Sequence, residues 1–302
     1  MANISADGNF TSKLNQVLSS PTPGMRELFS ALNIFLSITA SLGNALILIA
    51  LHKVNSIYPP TKLFFRCLAV TDLCVGLIVQ PLFVTLMMSS LMKMSNKFQG
   101  FFYVNRVRIT LSWCLCTVSL LTSTAISVDR LLALLLGLRY RHVVTLRRVR
   151  VVIICFWFIG ALAGWAPMRR IDLAYKGAPV ILTLCLVTMI FCYTMIHLKL
   201  RHQQAQLHSN VPIARGGGIP LSIARYKKTV SSMLWVQLAL VFCYVPFGIA
   251  IMLSANGISF LAWRASETLT YLNSSLNPIL YCWKIWEVKQ TVRDKIRQFY
   301  CL

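Results

Sequence analysis

Seven long apolar segments constrain this chain more than any other feature of its sequence. A helix rises about 1.5 Å per residue, so each segment can cross the roughly 30 Å hydrocarbon core of a bilayer. Lipid cannot pair with backbone polar groups, whereas a helix pairs its own. The sequence therefore predicts an all-α fold, a seven-transmembrane helix bundle. The first to seventh spans are expected at residues 28–51, 63–92, 101–136, 151–168, 177–200, 229–254 and 259–283.

The charge balance favours a membrane protein over a soluble one. Charged residues make up only 13% of the chain, against about 25% in a typical soluble domain. The net charge of +22 is explained by Lys and Arg in cytoplasmic loops, with about twenty on one side and about ten on the other. The bilayer, and no nucleic acid, is the expected partner. We expect a plasma-membrane protein with an extracellular N-terminus and a cytoplasmic C-terminus.

The two ends of the chain differ from the bundle between them. The N-terminal tail has glycosylation sequons at Asn3 and Asn9. After the seventh span, apolar residues recur at three- and four-residue spacing, which predicts a short amphipathic helix on the membrane surface. Cys301 beyond it is a candidate for palmitoylation, with an unmodified thiol as the alternative. The predicted divisions are a tail at 1–27, a bundle at 28–283, and a surface helix with C-terminal tail at 284–302.

A carboxylate inside the second span, Asp72, requires a reason, because charge in a membrane interior is costly. Ser119, Asn273 and Asn277 lie at similar depth, and the two Asn share one helix face. Carboxylate, hydroxyl and amide oxygens suit a small hard cation. We predict that these four residues form a sodium site, with a hydrogen-bonded water network as the alternative. No other cofactor is expected.

Two further features are typical of a conformational switch. Asp129 and Arg130 lie at the cytoplasmic end of the third span, where opposite charges can pair; the alternative is an Arg that simply extends to the interface. Pro246 and Pro278 each remove a backbone hydrogen bond within a span and favour a kink. Kinked helices beside a polar interior are candidate hinges; the alternative is harmless accommodation, since Pro is frequent in membrane helices.

These motifs, in this order and spacing, resemble the rhodopsin-like (class A) G-protein-coupled receptors over nearly the whole chain. Tyr replaces a Trp in the sixth-span motif, Leu replaces a Tyr after Arg130, and the seventh-span motif is intact. The matching residues are Gly43-Asn44, Leu68-Ala69-Val70-Thr71-Asp72-Leu73, Pro81, Asp129-Arg130-Leu131, Trp157, Pro167, Tyr193, Cys243-Tyr244-Val245-Pro246 and Asn277-Pro278-Ile279-Leu280-Tyr281.

The resemblance implies a receptor that transmits extracellular ligand binding to a heterotrimeric G protein. Arrestin and a receptor kinase are further partners that it implies. Sodium at Asp72 is expected to favour the inactive state and so to oppose an agonist. The activation switch that the resemblance implies consists of Asn44, Asp129, Arg130, Tyr193, Tyr244, Pro246, Pro278 and Tyr281.

The departures from the family pattern are informative. Asn105 stands where the family has the Cys of its outer disulfide, and a predicted second outer loop at 168–177, about ten residues long, has no Cys. This combination resembles the melanocortin, lysophospholipid and cannabinoid receptor branches. Tyr226, Lys227 and Lys228 stand where an acidic residue would hold Arg130. We therefore expect measurable signalling without ligand.

The ligand pocket that the resemblance implies has a basic entrance. Arg108 matches the position at which lysophospholipid receptors bind a phosphate, so an anionic ligand, a lipid acid or an acidic peptide, is expected; the alternative is that such Arg side chains reach lipid headgroups. Glu267 could hold a ligand amine, but an internal ion pair with Arg264 or Arg108 is the favoured interpretation. The pocket residues are Arg108, Ser112, Trp113, Cys116, Tyr244, Phe247, Glu267 and Tyr271.

Two rival functions fit parts of the pattern. A receptor-shaped protein that no longer signals, as a decoy or partner subunit, is allowed by Tyr244 and Leu131 and by the missing disulfide. A transporter could also use Asp72 and kinked helices, but it would need a polar path across the membrane, and the sequence has no internal repeat. No constellation of catalytic residues is present, and no enzyme activity is expected.

Overall fold

The computed structural model describes residues 22–54, 57–91, 99–169, 171–210, 238–253 and 258–284. These residues are helical apart from short connections, and they form the predicted seven-helix bundle. The first span is Pro23–Lys53, the second is Pro59–Cys74 with Val75–Val79 and Gln80–Leu91, the third is Gln99–Leu136, the fourth is Leu146–Arg169, the fifth is Ile171–Asn210, the sixth is Leu238–Leu253 and the seventh is Phe260–Lys284.

The first five spans are long and apolar enough to cross a membrane by length and composition. Their outer faces expose large apolar side chains, such as Phe35 and Phe158, each 65% exposed, and Phe191, 58% exposed. Exposure of so many large apolar groups suits a surface covered by lipid and would be an aggregation hazard in water. Of the tail predicted at 1–27 and the surface helix and tail predicted at 284–302, residues 1–21 and 285–302 lie outside the described residues. The first helix begins at Pro23, within the predicted tail.

The predicted loop at 168–177 is wrong. The fourth span continues to Arg169 and the fifth begins at Ile171, so only position 170 separates them. The cluster of polar residues suggested a loop, yet Ile171, Ala174 and Ala178 recur at helical spacing. Ala174 is buried. The polar residues between these three positions are compatible with a helix end, because water at the membrane interface can solvate them.

Small residues let neighbouring spans approach closely. A Cβ on Gly164 of the fourth span would lie 2.6 Å from the carbonyl oxygen of Thr110 in the third. A Cβ on Gly43 of the first span would lie 2.8 Å from Pro278 of the seventh. Such contacts are characteristic of helix packing in membranes, where apolar burial alone does not drive association. They fix the positions of the polar side chains between the spans.

The second span contains a π-helical turn at Val75–Val79, which ends two residues before Pro81. Pro81 has no amide hydrogen, so the carbonyl of Gly76 loses its partner at the end of this turn. The hydroxyl of Ser37 in the first span donates a 2.7 Å hydrogen bond to that carbonyl. A neighbouring helix, rather than water or lipid, thus replaces the hydrogen bond that the Gly76 carbonyl has lost.

Candidate functional site

A buried polar cluster surrounds Asp72 at the centre of the bundle. Asp72 is fully buried and accepts hydrogen bonds from Ser119 at 3.2 Å, Ser274 at 2.8 Å and Asn277 at 2.6 Å. These donors come from the third and seventh spans, so one carboxylate joins three helices. Among the described residues, no cation forms an ion pair with Asp72.

Two Asn side chains have different places beside this cluster. Asn44 donates to the backbone carbonyls of Ser274 at 2.9 Å and Ala40 at 2.8 Å, which links the first and seventh spans. The amide nitrogen of Asn273 is buried without a hydrogen-bond partner. The structure therefore brings Ser119 and Asn277 onto Asp72, and it shows no bond from Asn273 to the carboxylate among the described contacts.

Ser274 was missed by the sequence analysis. It lies three residues before Asn277 and so shares its helix face, which was the available signal. With Ser274, the cluster has two carboxylate and two hydroxyl oxygens in a buried space without a paired cation. This donor set fits a small hard cation, since such ions prefer oxygen ligands and a buried carboxylate needs compensation.

A second network lies at the end of the bundle that holds Arg130, which we call the Arg130 end. Arg130 donates to the Asp129 carboxylate at 2.5 Å and to the Thr61 hydroxyl at 2.8 Å. Tyr140, in the short helix after the third span, donates to Asp129 at 2.6 Å. Thr61 also donates to Asp129, at 3.0 Å. The predicted pairing of Asp129 with Arg130 is present, and Thr61 and Tyr140 are additional members.

A third network lies at the opposite end, which we call the Arg108 end. The Glu267 carboxylate pairs with Arg108 through one oxygen and with Arg264, at 2.6 Å, through the other. Arg108 is 4% exposed, Arg264 3% and Glu267 6%. The internal pairing favoured from the sequence is present with both Arg residues at once. Two guanidinium groups thus share one buried carboxylate. We call Arg108, Arg264 and Glu267 the triad.

Two hydroxyl groups and an aromatic ring lie around the triad. The Tyr271 hydroxyl donates to Glu267 at 3.0 Å, accepts from Arg108 at 3.2 Å and lies 3.1 Å from the Ser112 hydroxyl. The Phe83 ring lies within 5.6 Å of Arg108 and 5.4 Å of Arg264, in cation–π geometry. The Nε atom of Arg264 is buried without a partner.

Aromatic side chains from the third, sixth and seventh spans form a wall. Trp113 packs edge-on against Phe247 with ring centroids 6.3 Å apart, and Phe247 packs against Trp263 at 5.8 Å. Deeper in the bundle, the Tyr244 hydroxyl donates to the Cys116 carbonyl at 3.4 Å. The eight predicted pocket residues therefore fall into three sets by their contacts. Four belong to the polar network (Arg108, Ser112, Glu267 and Tyr271), two to the aromatic wall (Trp113 and Phe247) and two contact each other (Cys116 and Tyr244). Arg264 and Trp263 extend the predicted set.

The remaining switch residues are partly described. Pro278 lies inside the seventh span and contacts Gly43, and Pro246 lies inside the sixth. The Tyr193 hydroxyl is buried without a hydrogen-bond partner. The side chain of Tyr281 lies outside the described residues, as do Asn3, Asn9 and Cys301.

The sequence pattern of the family named 7 transmembrane receptor (rhodopsin family) matches residues 43–177 and 169–281. This chain belongs to that receptor family. The match includes the Asp72 cluster, the Arg130 network and the triad at Arg108. The chain is therefore a multi-pass membrane receptor of the G-protein-coupled class, as its motifs indicated, and it is not an enzyme.

Individual relatives agree with this assignment. The receptor is 26% identical over 295 residues to an adenosine receptor A3 of Ovis aries, with 87% of each chain covered. It is 25% identical to a histamine H2 receptor of Cavia porcellus, covering 90% of this chain and 79% of the relative. It is 24% identical to a melanocortin receptor 4 of Danio rerio, covering 89% and 84%. The three names refer to different ligands, so the relatives define the class without selecting one.

Among the described residues, eight cysteines are free. Asn105, at the position where a Cys was expected in the family, accepts hydrogen bonds from Arg108 at 3.3 and 3.4 Å. The side chain that stands in place of the Cys thus makes a polar contact to the buried Arg108 within the third span.

Proposed function

We propose that this receptor binds an extracellular ligand with an acidic group, held by Arg108 and Arg264, and passes the signal to a heterotrimeric G protein. The Arg108 end is then extracellular and the Arg130 end cytoplasmic. The orientation is supported by the excess of Lys and Arg in the segments at the Arg130 end.

The excess positive charge of the triad is the main reason for proposing a ligand with an acidic group. Two buried guanidinium groups share one carboxylate, and no second carboxylate pairs with them among the described residues. An uncompensated buried charge costs several kcal/mol. The acidic group of a ligand would offset that cost, and the unpartnered Nε of Arg264 supplies a donor for it.

The aromatic wall supports a ligand with an apolar part. Phe247 packs against both Trp113 and Trp263, and these two residues are the sequence neighbours of Ser112 and Arg264. A pocket with a few polar groups among aromatic side chains is typical of small-molecule sites. A lipid acid has both an acidic group and an apolar part, and so does a peptide in which an aromatic or aliphatic residue lies next to an acidic one.

The Arg130 network supports coupling on the other side of the membrane. Asp129 and Thr61 hold Arg130, and Tyr140 donates to Asp129, so Arg130 must leave Asp129 and Thr61 before it can contact another protein. A ligand can favour that release only by binding the released state more tightly. Arrestin and a receptor kinase would contact the same cytoplasmic surface.

We also propose that sodium binds at Asp72 and stabilises the state that does not signal. The support is a fully buried carboxylate with two hydroxyl donors that can turn their lone pairs toward a cation. Asn277 would keep its bond to the other carboxylate oxygen. An agonist and sodium would then lower each other's affinity by the same factor.

A ligand screen tests the proposal. Cells expressing the full chain with a promiscuous G protein would receive organic acids and the matched neutral amides. The acids are expected to signal and the amides to fail, and Arg264→Gln is expected to weaken an active acid about tenfold, or about 1.4 kcal/mol. Equal potency of acid and amide would contradict the ligand class. Signalling by an active acid that persists in Arg130→Ala would contradict the coupling mechanism.

A further inference from the structure

A cavity of about 510 Å³ lies between the third and fourth spans at the Arg108 end. No residue of the triad lines it, and its Arg residues are exposed whereas Arg108 and Arg264 are buried. Its volume is within the range of small-molecule sites. The lining residues are Arg106, Val107, Thr110, Leu111, Met168 and Arg169.

The packing of the two spans explains the cavity. Gly164 allows the fourth span to touch the third at the backbone of Thr110, where a Cβ would lie 2.6 Å from the carbonyl oxygen. One turn further along the fourth span, Met168 and Arg169 replace this glycine, and larger side chains keep the helices apart. Thr110 belongs to both the contact and the cavity. The cavity therefore begins where the glycine contact ends.

The position of the cavity relative to a membrane follows from the neighbouring aromatic residues. Trp165, next to Gly164, is 50% exposed, and Tyr103, one turn before Val107, is 72% exposed. Trp and Tyr on the outside of a membrane protein concentrate at the boundary between headgroups and acyl chains. Arg106 and Arg169 are thus at headgroup level, at one edge of the cavity.

The lining has two chemical halves. Val107, Leu111 and Met168 provide apolar surface, and Arg106 and Arg169 provide two guanidinium groups. Guanidinium groups bind phosphate oxygens well, often through two hydrogen bonds. An occupant that satisfies both halves has an anionic head and an apolar tail. A free anion would leave the apolar half uncovered.

We propose that this cavity binds an anionic phospholipid, with its phosphate at Arg106 and Arg169 and the start of an acyl chain against Val107, Leu111 and Met168. The bound lipid would occupy the groove between the third and fourth spans and stabilise their contact. This site is independent of the ligand proposed for the triad. It faces the bilayer, whereas the triad faces the interior of the bundle.

Photo-labelling of the full chain in phosphatidylcholine nanodiscs tests the proposal. The probe is a small fraction of phosphatidylglycerol with a photoreactive acyl chain, and labelled peptides are identified by mass spectrometry. Labelling is expected in the segments that contain Val107 and Met168. The double variant Arg106→Gln/Arg169→Gln is expected to reduce it about thirtyfold, because each basic group at a membrane surface contributes about 1 kcal/mol. The double variant Arg106→Lys/Arg169→Lys keeps both charges and is expected to retain most of it.

A matched control removes two exposed charges from the other end of the fourth span. Arg147→Gln/Arg150→Gln is expected to leave labelling at Val107 and Met168 unchanged. Unchanged labelling in the Arg106→Gln/Arg169→Gln variant would overturn the proposal. So would equal labelling by a photoreactive phosphatidylcholine, since the site would then lack preference for anionic lipid. Loss of labelling on adding inorganic phosphate would overturn it in favour of a site for a free anion.

Discussion

The Ser274 hydroxyl donates a 2.8 Å hydrogen bond to the Asp72 carboxylate, joining residues 202 positions apart in the chain. Both side chains are buried, and Asn277 binds the second oxygen of the same carboxylate. This contact ties the second span to the seventh at the centre of the receptor. It also supplies an oxygen beside a carboxylate that needs a counter-charge.

Sodium is expected to raise the melting temperature of the purified receptor. A ligand that binds only the folded state adds about 1.4 kcal/mol of stability at ten times its dissociation constant. Asp72→Asn removes the charge while keeping the shape of the side chain, so the dependence on NaCl is expected to disappear. Choline chloride serves as the control for ionic strength. An equal response of both proteins to NaCl would remove Asp72 from the site.

Tyr140→Phe is expected to increase signalling without ligand. The change removes the 2.6 Å hydrogen bond to Asp129, and bonds to charged groups are worth about 1.5–3 kcal/mol. Where that bond exists only in the silent state, the active fraction rises about tenfold or more. Second-messenger levels, corrected for surface expression, measure the effect.

Tyr58→Phe is the matched control for this variant. Its hydroxyl donates to the carbonyl of Val144 at 2.9 Å and its ring lies 5.4 Å from that of Tyr140, but no contact to Asp129 or Arg130 is present among those described. Basal signalling is expected to stay at the wild-type level. If both variants signal equally, the effect belongs to the aromatic pair and not to the Asp129 bond.

Gly164→Ala is expected to lower the thermal stability of the receptor by about 1–3 kcal/mol, the usual range for overpacking. The new methyl group would lie 2.6 Å from the Thr110 carbonyl oxygen, so the third and fourth spans must separate. Gly177→Ala is the comparison, since a Cβ there has nothing within 4 Å. Equal melting temperatures of the two variants would show that the spans do not pack as described.

The sequence predicted the contacts that depend on helix periodicity and on the cost of buried charge. Two contacts were expected for these reasons, one between Asn277 and Asp72 and one between Asp129 and Arg130. Both contacts are present. Thr61 and Tyr140 were not expected, because their approach to Asp129 depends on how the second span and a short helix pack against the third. That packing has no local signature.

The predicted loop at 168–177 was wrong because polar residues at a membrane boundary do not require a loop. Asp172, Tyr175 and Lys176 belong to the helix of the fifth span. At the membrane boundary such residues can point to water while the backbone stays helical, so polarity and loop structure are not the same there. For Glu267, sequence reasoning left two Arg partners open, and only the three-dimensional arrangement could place both on one carboxylate.

Without a bound ligand, the triad at the Arg108 end has one positive charge too many. The melting temperatures of Glu267→Gln and Arg264→Gln, measured side by side in purified receptor, test this claim. Glu267→Gln leaves two buried cations and is expected to cost about 3–5 kcal/mol, as for a broken buried pair. Arg264→Gln leaves a neutral Arg108–Glu267 pair and is expected to match or exceed the wild type. An equally large loss in both variants would contradict the claim.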